Sequence, residues 1–119
     1  MALLRVIAGP DMGASLRVDD APATIGRGAD CLLKLTDEHV SVIHAVVEPL
    51  NGGFRVRDLE SSGGTAVNGE PLLERQLKFG DTITVGETTI LFGSGEEMVG
   101  TETVGSAETP LPGDSQNNQ

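Results

Sequence analysis

The chain has no tryptophan and no tyrosine, only three phenylalanines, and a single cysteine, Cys31, among its 119 residues. With so little aromatic bulk the core has to be assembled mainly from Leu, Ile, Val and Ala, a composition that suits short strands joined by tight turns. One cysteine excludes a disulfide framework and a cysteine-rich metal cluster, and it is compatible with a reducing compartment, so a cytoplasmic location is expected. No apolar run is long enough for a membrane span or a signal peptide: Met1 to Ala8 carries Arg5 inside it and meets Gly9-Pro10 at once, and reads as a first strand. Basic charge is scarce as well. All 8 Lys and Arg lie in residues 1–92 against 13 Asp and Glu, and the remainder adds five more acids, for a net charge of −10. That balance argues against a nucleic-acid backbone or an anionic membrane as partner. It leaves room for one localised anion site, because long-range repulsion is screened within roughly 8 Å in physiological salt while an arginine in a nest of N–H groups acts at contact.

What the chain does contain is punctuation. Gly, Pro, Asn and Asp bound a series of short strand-like runs: 3–8, 14–18, 23–26, 32–35, 44–50, 53–58, 65–67, 76–79, 81–85 and 88–92. Phe54 and Val56 alternate with Arg55 and Arg57, and Ile83 and Val85 with Thr82 and Thr84, so these strands have one core face and one solvated face. Asn51-Gly52-Gly53 and Asn68-Gly69 supply residues that accept positive φ, as tight hairpins require, and Gly86-Glu87 makes another such turn. About ten short strands and no helix-length pattern predict one all-β domain, a sandwich over residues 1–93. Residues 94–119, rich in Gly, Ser, Thr, Glu and Pro, are expected to be a disordered acidic tail or linker.

Three loop segments between strands gather the residues able to hold an anion. Arg27 stands between Gly26 and Gly28 at the end of a strand, where a guanidinium lifted onto a loop can make charge-assisted, bidentate bonds to a phosphate. Ser41 precedes an apolar strand, with Val42 after it and His44 three residues on. The third segment runs Asp58-Leu59-Glu60-Ser61-Ser62-Gly63-Gly64-Thr65-Ala66-Val67-Asn68-Gly69. Catalytic readings find little support. The segment Gly26-Arg27-Gly28 lacks the third glycine and following helix of a dinucleotide fingerprint; His44, flanked by Ile43, Ala45 and Val46, is a core histidine rather than a base, and no triad partner is evident. Asp37, Glu38 and His39 read as a solvated loop rather than a metal site, so neither an enzyme nor a cofactor is expected.

In order and spacing these segments resemble the forkhead-associated (FHA) domain, over about residues 3–92. The resemblance implies an FHA/SMAD-like β-sandwich of two antiparallel or mixed twisted sheets, with roughly ten to eleven strands, that binds phosphothreonine in partner proteins. It implies that Arg27 and Ser41 bind the phosphate, with Ser62, in the place of the usual threonine, supplementing them. Gly26, His44 and Gly69 are then structural, and Val42, Gly63, Gly64, Thr65 and Asn68 shape the loops or touch the peptide. Two positions depart from the family pattern. Gly63 replaces an asparagine that clamps the peptide backbone, at a cost of roughly 1–3 kcal/mol in binding, and Val42 replaces a basic residue, leaving an apolar patch. These departures keep a second reading open, an FHA scaffold that docks partners without phosphate. Thr101, Thr103 and Thr109 lie among acidic residues beyond the domain, and a phosphothreonine there would act as a tethered ligand for the domain's own site.

Overall fold

The computed structural model describes residues 2–94, which form eleven strands in two sheets. These are β1 (Ala2–Ala8), β2 (Ser15–Val18), β3 (Ala23–Gly26), β4 (Leu33–Lys34), β5 (Ala45–Leu50) and β6 (Gly53–Asp58). They continue with β7 (Thr65–Val67), β8 (Glu70–Leu72), β9 (Glu74–Leu77), β10 (Thr82–Val85) and β11 (Thr88–Ser94). One sheet has the order β2-β1-β11-β10-β7-β8 and the other β4-β3-β5-β6-β9. All pairings are antiparallel except β3 with β4, which is parallel. The expected all-β sandwich is what the chain adopts.

Alternation along the strands explains the layering. Leu4 and Val6 of β1, Ile83 and Val85 of β10, and Ile90 and Phe92 of β11 meet Ile25, Ala45, Val47 and Val56 from the other sheet, all essentially inaccessible to solvent. At about 1.5–3 kcal/mol for each fully buried large side chain, this interior supplies the main stabilising term. The three phenylalanines gather at one end, where Phe92 packs edge-on to Phe54 and stacked on Phe79 with ring centroids 5.7 and 5.4 Å apart.

The hairpins have the turns their residues dictate. Asn51-Gly52 and Asn68-Gly69 are two-residue connections with φ of 51° and 81°, and of 52° and 84°, as type I′ turns need. Gly86 opens the β10–β11 turn with φ 59°.

Two strand expectations need correction. β8 lies outside the expected runs; its Pro71 cannot donate to a ladder and is accommodated because β8 is an edge strand. The strand expected at 76–79 runs Glu74–Leu77 instead. Asp81 ends it early, its carboxylate accepting the Lys78 N–H at 2.8 Å while its own N–H donates to the Lys78 carbonyl at 3.0 Å. That turn leaves Phe79 56% exposed.

Candidate functional site

The β3–β4, β4–β5 and β6–β7 loops converge at the end of the sandwich opposite the phenylalanines, and backbone bonds zip them together. The Arg27 N–H donates to the Ser41 carbonyl at 3.1 Å and the Gly28 N–H to the Val42 carbonyl at 2.9 Å. The Cys31 thiol reaches the same Val42 oxygen at 3.3 Å. So close an approach requires glycine at 26: a Cβ there would collide with the Val42 carbonyl oxygen and lie 3.0 Å from the Cys31 sulfur.

Arg27 is exposed, and its Nε donates to the Val40 carbonyl. That bond fixes the stem of the side chain, and among the described residues the two terminal nitrogens have no carboxylate partner. Ser41 is held at both ends. Its N–H donates to His44 Nδ1 at 3.0 Å, and its Oγ accepts the Ser62 N–H at 3.0 Å. Because the oxygen is the acceptor in that contact, the hydroxyl proton remains available to an external acceptor.

His44 is the rivet between the loops, with no accessible surface. Nδ1 accepts from Ser41, so Nε2 carries the proton and donates to the Gly64 carbonyl at 2.8 Å. Its backbone joins the set, its N–H donating to the Ile25 carbonyl and its carbonyl accepting the Leu59 N–H, each at 2.9 Å. With both ring nitrogens committed, and the contact with Ser41 running through the serine amide, the pair is no nucleophile and base.

The third loop folds around Asp58. Its carboxylate accepts the Ser61 N–H at 3.2 Å, the Ser61 hydroxyl, and the Thr65 hydroxyl at 2.7 Å, while Ser61 Oγ accepts the Gly64 N–H at 2.9 Å. Burial would raise the Asp58 pKa; the Ser61 and Thr65 hydroxyls and the Ser61 amide outweigh it and hold it below the ordinary carboxylate range. Thr65 therefore spends its hydroxyl inward, and Ser62 and Gly63 form the exposed tip. A side chain starting from Gly63 would meet only the His39 carbonyl, 3.9 Å away. Beside it lies a cavity of about 170 Å³ lined by Gly63, Gly64, Ala66, Pro71, Thr84 and Gly86, with Thr65.

The structure thus brings Gly26, Arg27, Ser41, Val42, His44, Ser62, Gly63, Gly64 and Thr65 into one neighbourhood. Asn68 and Gly69 sit apart from it at the other end of β7, about 10 Å along a three-residue strand. There the Asn68 amide bridges to β10, donating to Asp81 Oδ1 at 3.0 Å and accepting the Thr82 N–H at 3.0 Å.

The expectation of a solvated loop at Asp37, Glu38 and His39 fails at Asp37. Asp37, 3% exposed, faces inward from the β4–β5 loop and accepts the His39 N–H at 2.9 Å, the Glu87 N–H at 2.8 Å and the Thr88 hydroxyl at 2.8 Å. It ties the Ser41 loop to the β10–β11 turn. Nearby, His39 pairs with Glu87 at 3.4 Å. No signal within the run Asp37-Glu38-His39 marks this role, because two of the donors lie about fifty residues further on. Among the described residues no group of three His, Cys, Asp or Glu is placed to hold a metal ion, and no helix is long and apolar enough to cross a membrane.

Residues 5–96 match the family model for the cytoplasmic domain of the inner membrane component of type III secretion systems. The oxoglutarate dehydrogenase inhibitor of Corynebacterium efficiens is 38% identical over 94 residues, which are 79% of this chain and 66% of that protein. The glycogen accumulation regulator GarA of Mycobacterium tuberculosis is 37% identical over 97 residues, 82% of this chain and 60% of its own. The chain spans just under two thirds of the length of these curated relatives. Among solved structures, a domain studied for phosphothreonine-dependent FHA interactions superposes with a TM-score of 0.72 at 32% identity, covering 77% of this chain and 94% of that one. An FHA domain from Arabidopsis thaliana gives 0.74 at 29% identity, covering 78% and 84%.

Proposed function

The chain belongs to the forkhead-associated domain family, and on that footing we propose that it is a phosphothreonine-dependent interaction module, working in the cytoplasm, that binds partners through the loops around Arg27 and Ser41. The observation that carries this reading is the pairing of an anchored arginine, free at its tip, with a serine hydroxyl whose oxygen is already fixed by the Ser62 amide. Both groups are positioned before a ligand arrives, so little ordering cost is left to binding. Arg27 supplies charge and a planar fork, Ser41 donates from its hydroxyl, and Ser62, exposed at the loop tip, adds another hydroxyl. The role is recognition and not catalysis.

The test is a titration followed by NMR, using a degenerate phosphothreonine peptide pool against unphosphorylated and phosphoserine pools. Saturable shifts at Arg27, Ser41 and residues 61–65 are expected with the phosphothreonine pool alone. Arg27→Ala should weaken that binding by about 2–3 kcal/mol, roughly 30- to 150-fold. Equal binding by the variant would sink the proposal.

The exposed Val42 and Ile43, 53% and 55% accessible beside the site, favour a second reading, docking of unmodified partners on the same scaffold; binding of the unphosphorylated pool would identify it.

A phosphothreonine in the chain's own tail is the tethered version of the first reading. Thr101, Thr103 and Thr109 lie outside the described residues. The described chain ends at Ser94, at the far end of β11 from the Gly86-Glu87 turn, so a return to the loops spans about 20 Å, one seven-residue strand. Seven extended residues reach about 23 Å, which puts Thr101 at the limit and Thr109 well within range. Peptides of the tail phosphorylated singly at each threonine should therefore be compared with chains phosphorylated in place. If the phosphorylated chain still takes up external phosphopeptide with unchanged affinity, the tail is not a ligand.

A further inference from the structure

We infer that Val42 is a specificity-determining residue, selecting phosphothreonine partners that carry an aliphatic or aromatic side chain within two residues of the phosphothreonine. The inference rests on the phosphate-binding reading and adds to it the chemical class of the neighbouring ligand residue.

Three observations place Val42 in the path of the ligand. It directly follows Ser41, whose oxygen position is fixed by the Ser62 amide. Its carbonyl is locked by the Gly28 amide and the Cys31 thiol, so its backbone is as firmly held as that of Ser41. Its side chain leans across onto the arginine loop: Cγ1 lies 3.1 Å from where a Cβ on Gly28 would stand. The valine thus bridges the loop that carries Arg27 and the loop that carries Ser41. A phosphate held between those two residues brings its own chain over this bridge.

The exposure there is unusual for a branched aliphatic residue. Val42 is 53% accessible and Ile43 55%, two apolar side chains in succession on a loop that otherwise turns its apolar groups inward, as Val40 does at 1%. Water over such a pair is released when a ligand covers it. The charged groups around it do not favour a different neighbour. Arg27 is committed to the phosphate and to the Val40 carbonyl. Asp37 is turned inward, and His39 is paired with Glu87. Glu38 and Glu60, exposed on the adjacent loops, would disfavour an acidic side chain on the ligand. A lysine on the ligand would meet Glu38 and Glu60 only with its head in water, where an ion pair adds little, and its charge gains nothing from the valine itself. An aliphatic or aromatic side chain is the complement left. With one arginine and a bare Gly63, apolar contact also contributes affinity that a second cation or a clamping side chain would otherwise provide.

The experiment uses the full chain and a set of fluorescent phosphothreonine peptides in an alanine background, with single Leu, Glu, Lys or Ser substitutions at each of the two positions on either side of the phosphothreonine. Unphosphorylated copies and the Arg27→Ala protein are the controls. At one of these positions Leu should bind about tenfold tighter than Ser, Glu or Lys, the difference expected when a leucine side chain loses most of its exposed surface. In Val42→Ser that ratio should fall to about one, and in Val42→Arg the preference should turn toward Glu. Because the side chain at 42 is exposed, both variants should melt with the parent.

Phosphate- and Arg27-dependent binding with no preference at any position overturns this inference and leaves the proposed function standing. A Leu preference that persists unchanged in Val42→Ser overturns it too. Binding that ignores both phosphorylation and Arg27 overturns the phosphate-binding reading, and this inference with it.

Discussion

Gly26→Ala is expected to lower stability by about 3 kcal/mol, or the melting temperature by roughly 12–20 °C. The added methyl would overlap the Val42 carbonyl oxygen, with the Val42 carbonyl carbon at 2.9 Å and the Cys31 sulfur at 3.0 Å. Backbone on one side and a buried sulfur on the other leave no flexible tip to yield. The loops carrying Arg27 and Ser41 must part to accept it, losing the Arg27-to-Ser41 and Gly28-to-Val42 hydrogen bonds. Phosphopeptide affinity should fall with stability although no ligand-contacting group has been removed. Gly63→Ala is the control, since the nearest atom to the new methyl is 3.9 Å away; it should stay within about 0.5 kcal/mol of the parent. Equal melting temperatures for the parent and Gly26→Ala would show that the loops do not need this approach.

Asp37→Ala should cost a similar amount, about 2–4 kcal/mol, because it strands two amides and the hydroxyl of Thr88, whose side chain is fully buried. Its pH dependence separates this cause from simple loss of packing. Burial pushes the Asp37 pKa up, and the His39 amide, the Thr88 hydroxyl, the Glu87 amide and the His39 charge together bring it below the ordinary 3.8. A carboxylate depressed in the folded state stabilises fully above its unfolded pKa and loses that contribution as pH falls through its folded value. The gap in unfolding free energy between parent and variant should therefore be constant from about pH 5 to 8 and narrow below about pH 4. A gap that did not change with pH would assign the loss to the cavity instead. The Ser41 loop, no longer tied to the β10–β11 turn, should also show faster amide exchange in the variant.

Some of this architecture is legible in the sequence because it is written locally. Asn51-Gly52 and Asn68-Gly69 demand tight hairpins whatever surrounds them, and the alternation in β6 and β10 fixes which face is buried. β8 is not legible, because a proline argues against a strand unless that strand is known to lie at an edge, and edge position is a property of the whole sheet. β9 lies two residues earlier than the expected 76–79: Leu77 and Phe79 share a parity, and only the Asp81 side chain, folding back on Lys78, decides where the ladder stops. In the site, Arg27, Ser41 and Ser62 are picked out by the resemblance of their loop segments to the FHA pattern; composition alone does not separate them from other exposed polar loop residues such as Asp30, Glu38 and Glu60. The inward turn of Asp37 is not legible, because its partners Glu87 and Thr88 lie about fifty residues on, while that of Thr65 depends on how one loop folds back on Asp58, seven residues earlier.

The pairing of Ala2 with Ser94 at the start of β1 and the end of β11 makes the domain an insertion cassette. Neighbouring antiparallel strands stand about 5 Å apart, so a host protein could open one surface loop by little more than a peptide's width and receive the whole sandwich. The recognition loops would then point away from the host, a strand's length from the graft. The same closeness means that residues 2 and 94 could be joined by a short linker and new ends cut elsewhere, for example at Gly52, where no atom lies within 4 Å of an added side chain. Such a permutant would keep every contact around Ser41 while moving its ends from one sheet to the other at the same end of the sandwich.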